Sequence, residues 1–222
     1  MSNPFFSVIV PEHNSAEFMR KGLDSIAEQT FRDYELIVVC DRCTDDTAEI
    51  AKSYDSKVPE LTVLEVDYGK CGLTRNKGLD IARGEWILFM DDDDWFLHEF
   101  VFDVIADIVK KQGCDVVSFG FIWKMKDEET GEIKNKLTPP LKENGVAWVA
   151  PWTKAWRRSF IGDHRFPSWK HSDDLGFAEE MYPLIKLGGL ANIPIYYYNY
   201  LREGSIAWKL STGELSNADM KE

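Results

Sequence analysis

Glu85-Trp86-Ile87-Leu88-Phe89-Met90-Asp91-Asp92-Asp93-Asp94 is the stretch on which the fold turns. Five apolar residues run together, and four carboxylates follow at once. A short continuous apolar run reads as a strand buried on both faces, the habit of parallel sheets covered by helices. In such sheets ligands bind at the carboxyl ends of the strands, and the aspartates sit at one. Two carboxylates about 4 Å apart repel by about 4 kcal/mol at an effective dielectric near 20, a large part of a domain's stability. One reading is a solvated loop. The other is a divalent cation held by oxygen ligands, which suit Mn²⁺ or Mg²⁺ better than zinc.

Toward the N-terminus the same grammar repeats. Phe5 to Val10 reads as a strand ending at Pro11. Asn14-Ser15-Ala16-Glu17 has capping-box spacing for a helix reaching Gln29. Tyr34 to Val39 reads as a second strand, and Thr44 as the cap of a helix from Asp45 to Ser53. Leu61 to Glu65 reads as a third strand, followed by a helix from Leu73 to Ala82 that Gly84 stops. Strand–helix alternation of this kind predicts an α/β fold with a central, mostly parallel sheet and helices on both faces. Past the aspartates come a helix from Phe96 to Gln112 with Gly113 as its stop, a strand from Val116 to Met125 and a turn at Asp127 to Gly131. A helix from Leu175 to Leu187 ending at Gly188-Gly189 and a strand from Tyr196 to Tyr200 follow. Trp148, Trp152, Trp156 and Trp169 cluster between that turn and that helix. No repeat or low-complexity linker divides the 222 residues, so the chain reads as one domain with a polar tail at 211–222.

Composition excludes several classes. Hydrophobic residues at 44% and charged residues at 29% describe an ordinary globular chain. Its 26 basic and 38 acidic residues leave a net charge of −12, which disfavours nucleic acid as a partner. A phosphorylated ligand would need an added cation. The first residues lack a basic-then-apolar leader and no run reaches about 18 apolar residues. With four cysteines, this leads to the expectation of a reducing, cytoplasmic location with at most peripheral membrane contact. Cys40-Asp41-Arg42-Cys43 is a C-x-x-C pattern, readable as a redox pair, half a zinc site, or two reduced thiols at a strand end. Cys71 and Cys114 are isolated.

Four segments in order resemble family 2 glycosyltransferases of the GT-A fold: Ser7 to Asn14, Val38 to Asp45, Gly72 to Leu79, and Ala82 to Asp94. The resemblance runs to about Ile206. It implies an inverting, metal-dependent transfer of a sugar from a nucleotide-diphosphate donor, most simply a UDP-sugar, to a hydroxyl of a glycan or lipid-linked acceptor at the inner membrane face. It divides the chain into a nucleotide-sugar half, 1–94, and an acceptor half, 95–210. Asp91 and Asp93 match the D-x-D pair, with the later residue on the metal and Asp91 near ribose and metal; Asp92 stands between them in the same subsite. Asp41 matches a residue that hydrogen-bonds the base, and Pro11 and His13 border it. Arg75 would face the diphosphate, against the simpler reading of a helix-surface arginine. Arg202, in Arg202-Glu203-Gly204-Ser205-Ile206, matches a closing element that contacts the diphosphate. Three departures stand out: His13 replaces the usual tyrosine, Cys40-Asp41-Arg42-Cys43 replaces Asp-Asp-Gly-Ser, and an acid fills the middle of D-x-D.

Inverting transfer needs a carboxylate to deprotonate the attacking hydroxyl. In the family an acidic pair precedes a helix, and His171-Ser172-Asp173-Asp174-Leu175 fits that place. Tyr196 follows Asp174 by 22 positions, matching the family's separation from its Tyr-x-Tyr strand. Asp174 is therefore the expected base and Asp173 its neighbour on the acceptor side. The competing readings are two acids complementing a helix dipole, or Glu179-Glu180 as the pair. Trp152 is an acceptor-side ring or a core residue. Two other functions compete: a nucleotide-sugar binder without transfer, favoured by the altered Cys40–Cys43 turn, and a sugar-phosphate nucleotidyltransferase, disfavoured by the absence of glycine in Pro11 to Ser15.

Overall fold

A computed structural model describes residues 3–126, 130, 132–140, 149–169, 171–203, 205, 208, 209 and 214. The expected turn at Asp127 to Gly131 is outside the described residues except for Thr130, as are Trp148, Gly204, Ile206 and nearly all of the 211–222 tail.

The first half follows the alternation. β1 (Phe6–Glu12), α1 (Met19–Ala27), β2 (Tyr34–Asp41), α2 (Thr47–Lys52), β3 (Leu61–Val66), α3 (Cys71–Ile81) and β4 (Trp86–Phe89) succeed one another. β1 pairs in parallel with both β2 and β4, and β2 with β3. Every residue of β1, β2 and β4 is buried, which is why these strands carry apolar runs rather than a strict alternation. Pro11 lies inside β1, not at its end. The Ile9 carbonyl accepts from Met90 N–H at 3.1 Å, so by alternation Pro11 faces the same side, past the last β1–β4 pair at Ile9 and Phe89. The N–H it lacks has no ladder partner there.

The second half comprises β5 (Trp95–Phe96), α4 (Val101–Gln112), β6 (Val116–Lys126), β7 (Ile133–Thr138), β8 (Lys154–Arg157), α5 (Arg158–Ile161), α6 (Asp173–Met181) and β9 (Gly188–Tyr198). Short 3₁₀ turns at Pro151–Thr153 and Tyr182–Leu184 flank β8 and α6. The strand order is β3-β2-β1-β4-β8-β6-β9-β5, with β7 on β6. β8 is antiparallel to β4 and β6, β9 is parallel to β6, and β5 and β7 are antiparallel edges. The parallel character thus belongs to the first half, and the sheet as a whole is mixed. α4 buries Val101, Phe102, Ile105, Ala106 and Val109, a stripe at helical spacing, and ends at Gly113, whose φ of 58° a glycine adopts without strain.

Several local expectations are corrected. Asn14 does not cap α1. Its Oδ1 accepts from Thr44 N–H at 2.7 Å, tying the β1 loop to the β2 loop, while Ser15 O receives the Phe18 and Met19 N–H groups. Thr44 does not cap α2: Asp46 holds the N-cap position without a side-chain bond, and Thr47 N–H donates to Asp45 Oδ1 at 3.1 Å. Gly84 does not stop α3, which ends at Ile81. A Cβ on Gly84 would stand 2.4 Å from Ser7 N, and Gly84 N–H donates to Ser7 Oγ at 2.8 Å. Close strand entry, not a helix cap, requires the glycine. α4 begins at Val101 because Trp95-Phe96 pairs with β9 instead. α6 ends at Met181, before Pro183, and Gly188-Gly189 opens a strand rather than ending a helix.

Candidate active site

The loops after β1, β2, β3 and β4 meet at one rim of the sheet, and α3 and α6 bring their first turns to it. Asp91, Asp92, Asp93 and Asp94 turn away from β4 in four different settings. Asp94 is fully buried; Tyr196 Oη donates to its Oδ2 at 2.8 Å and Asn199 N–H to its Oδ1 at 2.8 Å. The same Tyr196 hydroxyl accepts Asp91 N–H at 3.1 Å. Tyr196 therefore fixes both ends of the acidic turn from β9. Burial pushes the Asp94 carboxyl well above the ordinary carboxylate range.

Asp91 Oδ1 accepts from Arg75 Nη2 at 2.6 Å, and Asp173 Oδ2 accepts from Arg75 Nη1 at 2.6 Å. Arg75 is only 5% exposed, so it is no helix-surface arginine. One buried guanidinium joins the turn after β4 to the start of α6, across 16 residues on one side and 98 on the other. Asp174 follows, with Leu175 N–H on its Oδ1 at 2.8 Å. Burial raises the Asp174 carboxyl above its ordinary value although the Arg75 charge opposes the shift. A raised carboxyl is what a general base working near neutrality needs.

Asp93 accepts from Arg202 Nε, and Arg202 Nη2 stands 4.0 Å from Asp92 Oδ1. The expected closing residue thus reaches the acidic turn, held over the Phe18 ring at 4.3 Å. Burial, and then the Asp93 charge, push Asp92 up to about 8. Glu12, at the end of β1, is pushed well above its usual value by burial and then by Asp92. Carboxyls crowded closely enough to raise one another fit a divalent cation. Mg²⁺-type sites built on substrate phosphates need one or two carboxylates from the protein, and Asp91 and Asp93 supply that number. Among the described residues no three His, Cys, Asp or Glu side chains converge on one point, so the remaining ligands would be phosphate oxygens and water.

Asp41 departs from expectation. Its Oδ1 accepts Tyr68 N–H at 2.8 Å and Gly69 N–H at 3.0 Å; its Oδ2 accepts Lys70 N–H at 3.1 Å and the Thr74 hydroxyl at 2.9 Å. Burial pushes this carboxyl up, but the four donors outweigh it and hold it below the ordinary range. With its acceptor positions filled, Asp41 shapes the loop after β3 and the first turn of α3 rather than offering an oxygen to a base. His13 Nδ1 lies 2.6 Å from Asp41 O, and Pro11 is buried. Trp152 is also corrected: it is 3% exposed, stacked on Tyr196 at 4.6 Å and edge-on to Phe121 at 5.0 Å. Its ring carries Tyr196 and has no face for a sugar. Cys40 is buried and Cys43 partly so; burial raises both thiols, which is the reduced, unreactive reading.

Sequence reasoning missed Tyr196, Asp94 and Glu12 as site residues. The Tyr-x-Tyr pattern on β9 was the available signal for the first; its partners lie 102 and 105 residues away.

Poly(ribitol-phosphate) beta-N-acetylglucosaminyltransferase TarS of Staphylococcus aureus is 30% identical over 242 residues, covering 98% of this chain and 41% of TarS. Glycosyltransferase GlyA of Streptococcus pneumoniae is 26% identical, covering 90% of this chain and 31% of GlyA. The chain thus spans less than half the length of either relative. The structure of TarS residues 1–349 with UDP-GlcNAc superposes with a TM-score of 0.74 at 29% identity, covering 94% of this chain and 61% of that one. The shared architecture is the GT-A fold. Mannosyltransferase PcManGT of Pyrobaculum calidifontis, solved with GDP-Man and Mn²⁺, shares the fold at a TM-score of 0.66 and 21% identity. The sequence profile of glycosyl transferase family 2 matches residues 7–165, so the chain belongs to that family.

Proposed function

We propose that the chain is an inverting glycosyltransferase that moves a sugar from a UDP-sugar to a hydroxyl of a glycan or lipid-linked acceptor. The observation that carries this reading is the Arg75 bridge, which brings the acidic turn after β4 and the Asp173–Asp174 pair into one cleft. Donor-side charge and a raised carboxyl then face the same space.

In the proposed reaction the acceptor oxygen attacks the anomeric carbon. The bond from that carbon to the β-phosphate oxygen breaks, the configuration inverts, and the hydroxyl proton passes to the Asp174 carboxylate. Asp173, held by Arg75, stays a neighbour of the base and does not share its role. A divalent cation, Mn²⁺ or Mg²⁺, when bound, supplies positive charge to the leaving diphosphate. Asp91 and Asp93 would hold it, with Asp92 and Arg202 in the same subsite and Pro11, His13 and the loop shaped by Asp41 bordering the base. TarS carries UDP-GlcNAc in its solved structure, which supports the UDP-sugar assignment. No helix among the described residues is long and apolar enough to cross a membrane; we place the reaction at the cytoplasmic membrane face, where lipid-carried acceptors lie.

The test is metal-dependent release of UDP from a panel of UDP-sugars without acceptor. Slow hydrolysis that disappears in EDTA and in Asp174→Asn supports transfer chemistry. Tight UDP binding with no release from any sugar supports the alternative of a nucleotide-sugar binder without transfer.

A further inference from the structure

Three residues other than glycine adopt positive φ among the described residues: Asn14 at 49°, Arg42 at 54° and Ser172 at 56°. All three stand in loops of the candidate site. Asn14 tolerates this conformation readily, and its side chain ties two loops together. Ser172 turns the chain into α6, its carbonyl accepting Leu175 N–H at 3.0 Å. Arg42 is different. A long side chain in the left-handed region is strained where glycine is not, so its side chain must account for it.

The guanidinium of Arg42 lies across Gly69. A Cβ on Gly69 would stand 2.2 Å from Arg42 Nη1 and 2.7 Å from Cζ, and Gly69 is itself at φ +64°. Arg42 Nε donates to Asp67. Its terminal Nη1 and Nη2 groups have no hydrogen-bond partner among the described residues, and the side chain is 54% exposed. The Arg42 cradle is therefore built from two left-handed residues and one ion pair, yet it leaves a planar pair of N–H₂ groups open. These stand at the carboxyl end of β2, with His13 after β1 on one side and Tyr68, 39% exposed, after β3 on the other. In the strand order β3-β2-β1-β4 the topological switch lies between β1 and β4. The diphosphate end of a donor belongs there, beside Asp91, and the base reaches back over β1, β2 and β3. The carboxylate in this region, Asp41, is saturated by its own chain.

We propose that Arg42 selects the base of the donor, its free N–H₂ groups donating to the keto edge of uracil. Cytosine presents an amino group at the same place and would set donor against donor. This inference rests on the nucleotide-sugar reading of the site. A charge-assisted hydrogen bond of this kind discriminates by about tenfold or more.

The experiment is calorimetric titration of UDP and CDP, each with Mn²⁺, into wild type, Arg42→Met and Arg42→Lys. Methionine keeps an unbranched apolar stem and removes every donor; lysine keeps the charge without the planar fork. Wild type is expected to bind UDP about tenfold more tightly than CDP, and Arg42→Met to bring the two within about twofold by weakening UDP alone. Arg42→Lys is expected to fall between them. An unfolding midpoint close to wild type for each variant confirms that the ratio, not the fold, has changed. A wild-type ratio near one, or a ratio that survives in Arg42→Met, overturns the role of Arg42. Failure of wild type to bind either nucleotide removes the donor reading and this inference with it.

Discussion

In the proposed reaction Asp174 carries the chemistry at the level of single residues, and its surroundings make two statements about it. Its carboxyl is raised by burial in spite of Arg75. Between the ordinary value of 3.8 and the raised one, the native state holds more protons than the unfolded chain, so stability falls as pH rises through that window. Asp174→Asn removes the cost. The variant should therefore lose transfer by about 10²- to 10⁴-fold while its unfolding midpoint does not drop. The wild-type profile of kcat/KM against pH should show an acid limb with its midpoint above 3.8, because the base is lost as pH falls through the raised value. Transfer at near wild-type rate in Asp174→Asn would move the role to another carboxylate. Tyr196 makes the complementary case for position. Tyr196→Phe keeps the stack on Trp152 but leaves Asp91 N–H and one oxygen of Asp94 without their partner. It should raise KM for the donor more than it lowers kcat, since the turn that receives the diphosphate loosens while Asp174 stays in place. A selective loss of kcat would count against that role.

At the level of elements, the loop after β3 and the start of α3 exist in their present form because of Asp41. Three consecutive N–H groups and one hydroxyl converge on a single carboxylate. Asp41→Asn presents an amide donor to at least one of them, at about 1–3 kcal/mol or roughly 2–12 °C in the midpoint of a chain this size. Because the Asp41 carboxyl is held below 3.8, its contribution is full above that value and is lost as pH falls through the depressed one. The wild-type and Asp41→Asn midpoints should therefore converge below pH 3.8; parallel curves would show that the loop is held by other contacts. The sequence could not reveal this use of Asp41, because its partners lie 27 to 33 residues downstream and three are backbone groups. The same distinction runs through the fold. β1, β2 and β4 are legible because burial on both faces gives each an apolar run, Val8 to Val10, Leu36 to Val39 and Trp86 to Phe89. β7, with Lys134 and Lys136 on an exposed edge, and β8, which carries Lys154 and Arg157, have no such signature. β9 begins with Gly188-Gly189 and contains Pro194, a sequence that reads as a helix stop until its pairing with β6 is known. The acidic turn and the Asp173–Asp174 pair were legible as separate motifs; their union through Arg75 was not.

Across the whole molecule, a net charge of −12 and a cleft of crowded carboxylates set the terms on which a diphosphate can enter. Arg75 and Arg202 are committed to Asp91, Asp173 and Asp93, so the protein's own cations do not cancel the charge that a nucleotide brings. Binding should therefore require metal and donor together. A ligand at 100 times its dissociation constant stabilises the native state by about 2.7 kcal/mol, or roughly 5–11 °C in the unfolding midpoint of a domain this size. UDP with Mn²⁺ should produce a shift of that order, and UDP with EDTA or Mn²⁺ alone a small one. Asp93→Asn should abolish the joint effect while leaving the unliganded midpoint near or above wild type, because it removes one member of a mutually repelling cluster. An equal shift with UDP in EDTA would mean that Arg202 and Arg75 suffice for the diphosphate, and the acidic turn would then serve the geometry of the cleft rather than a metal.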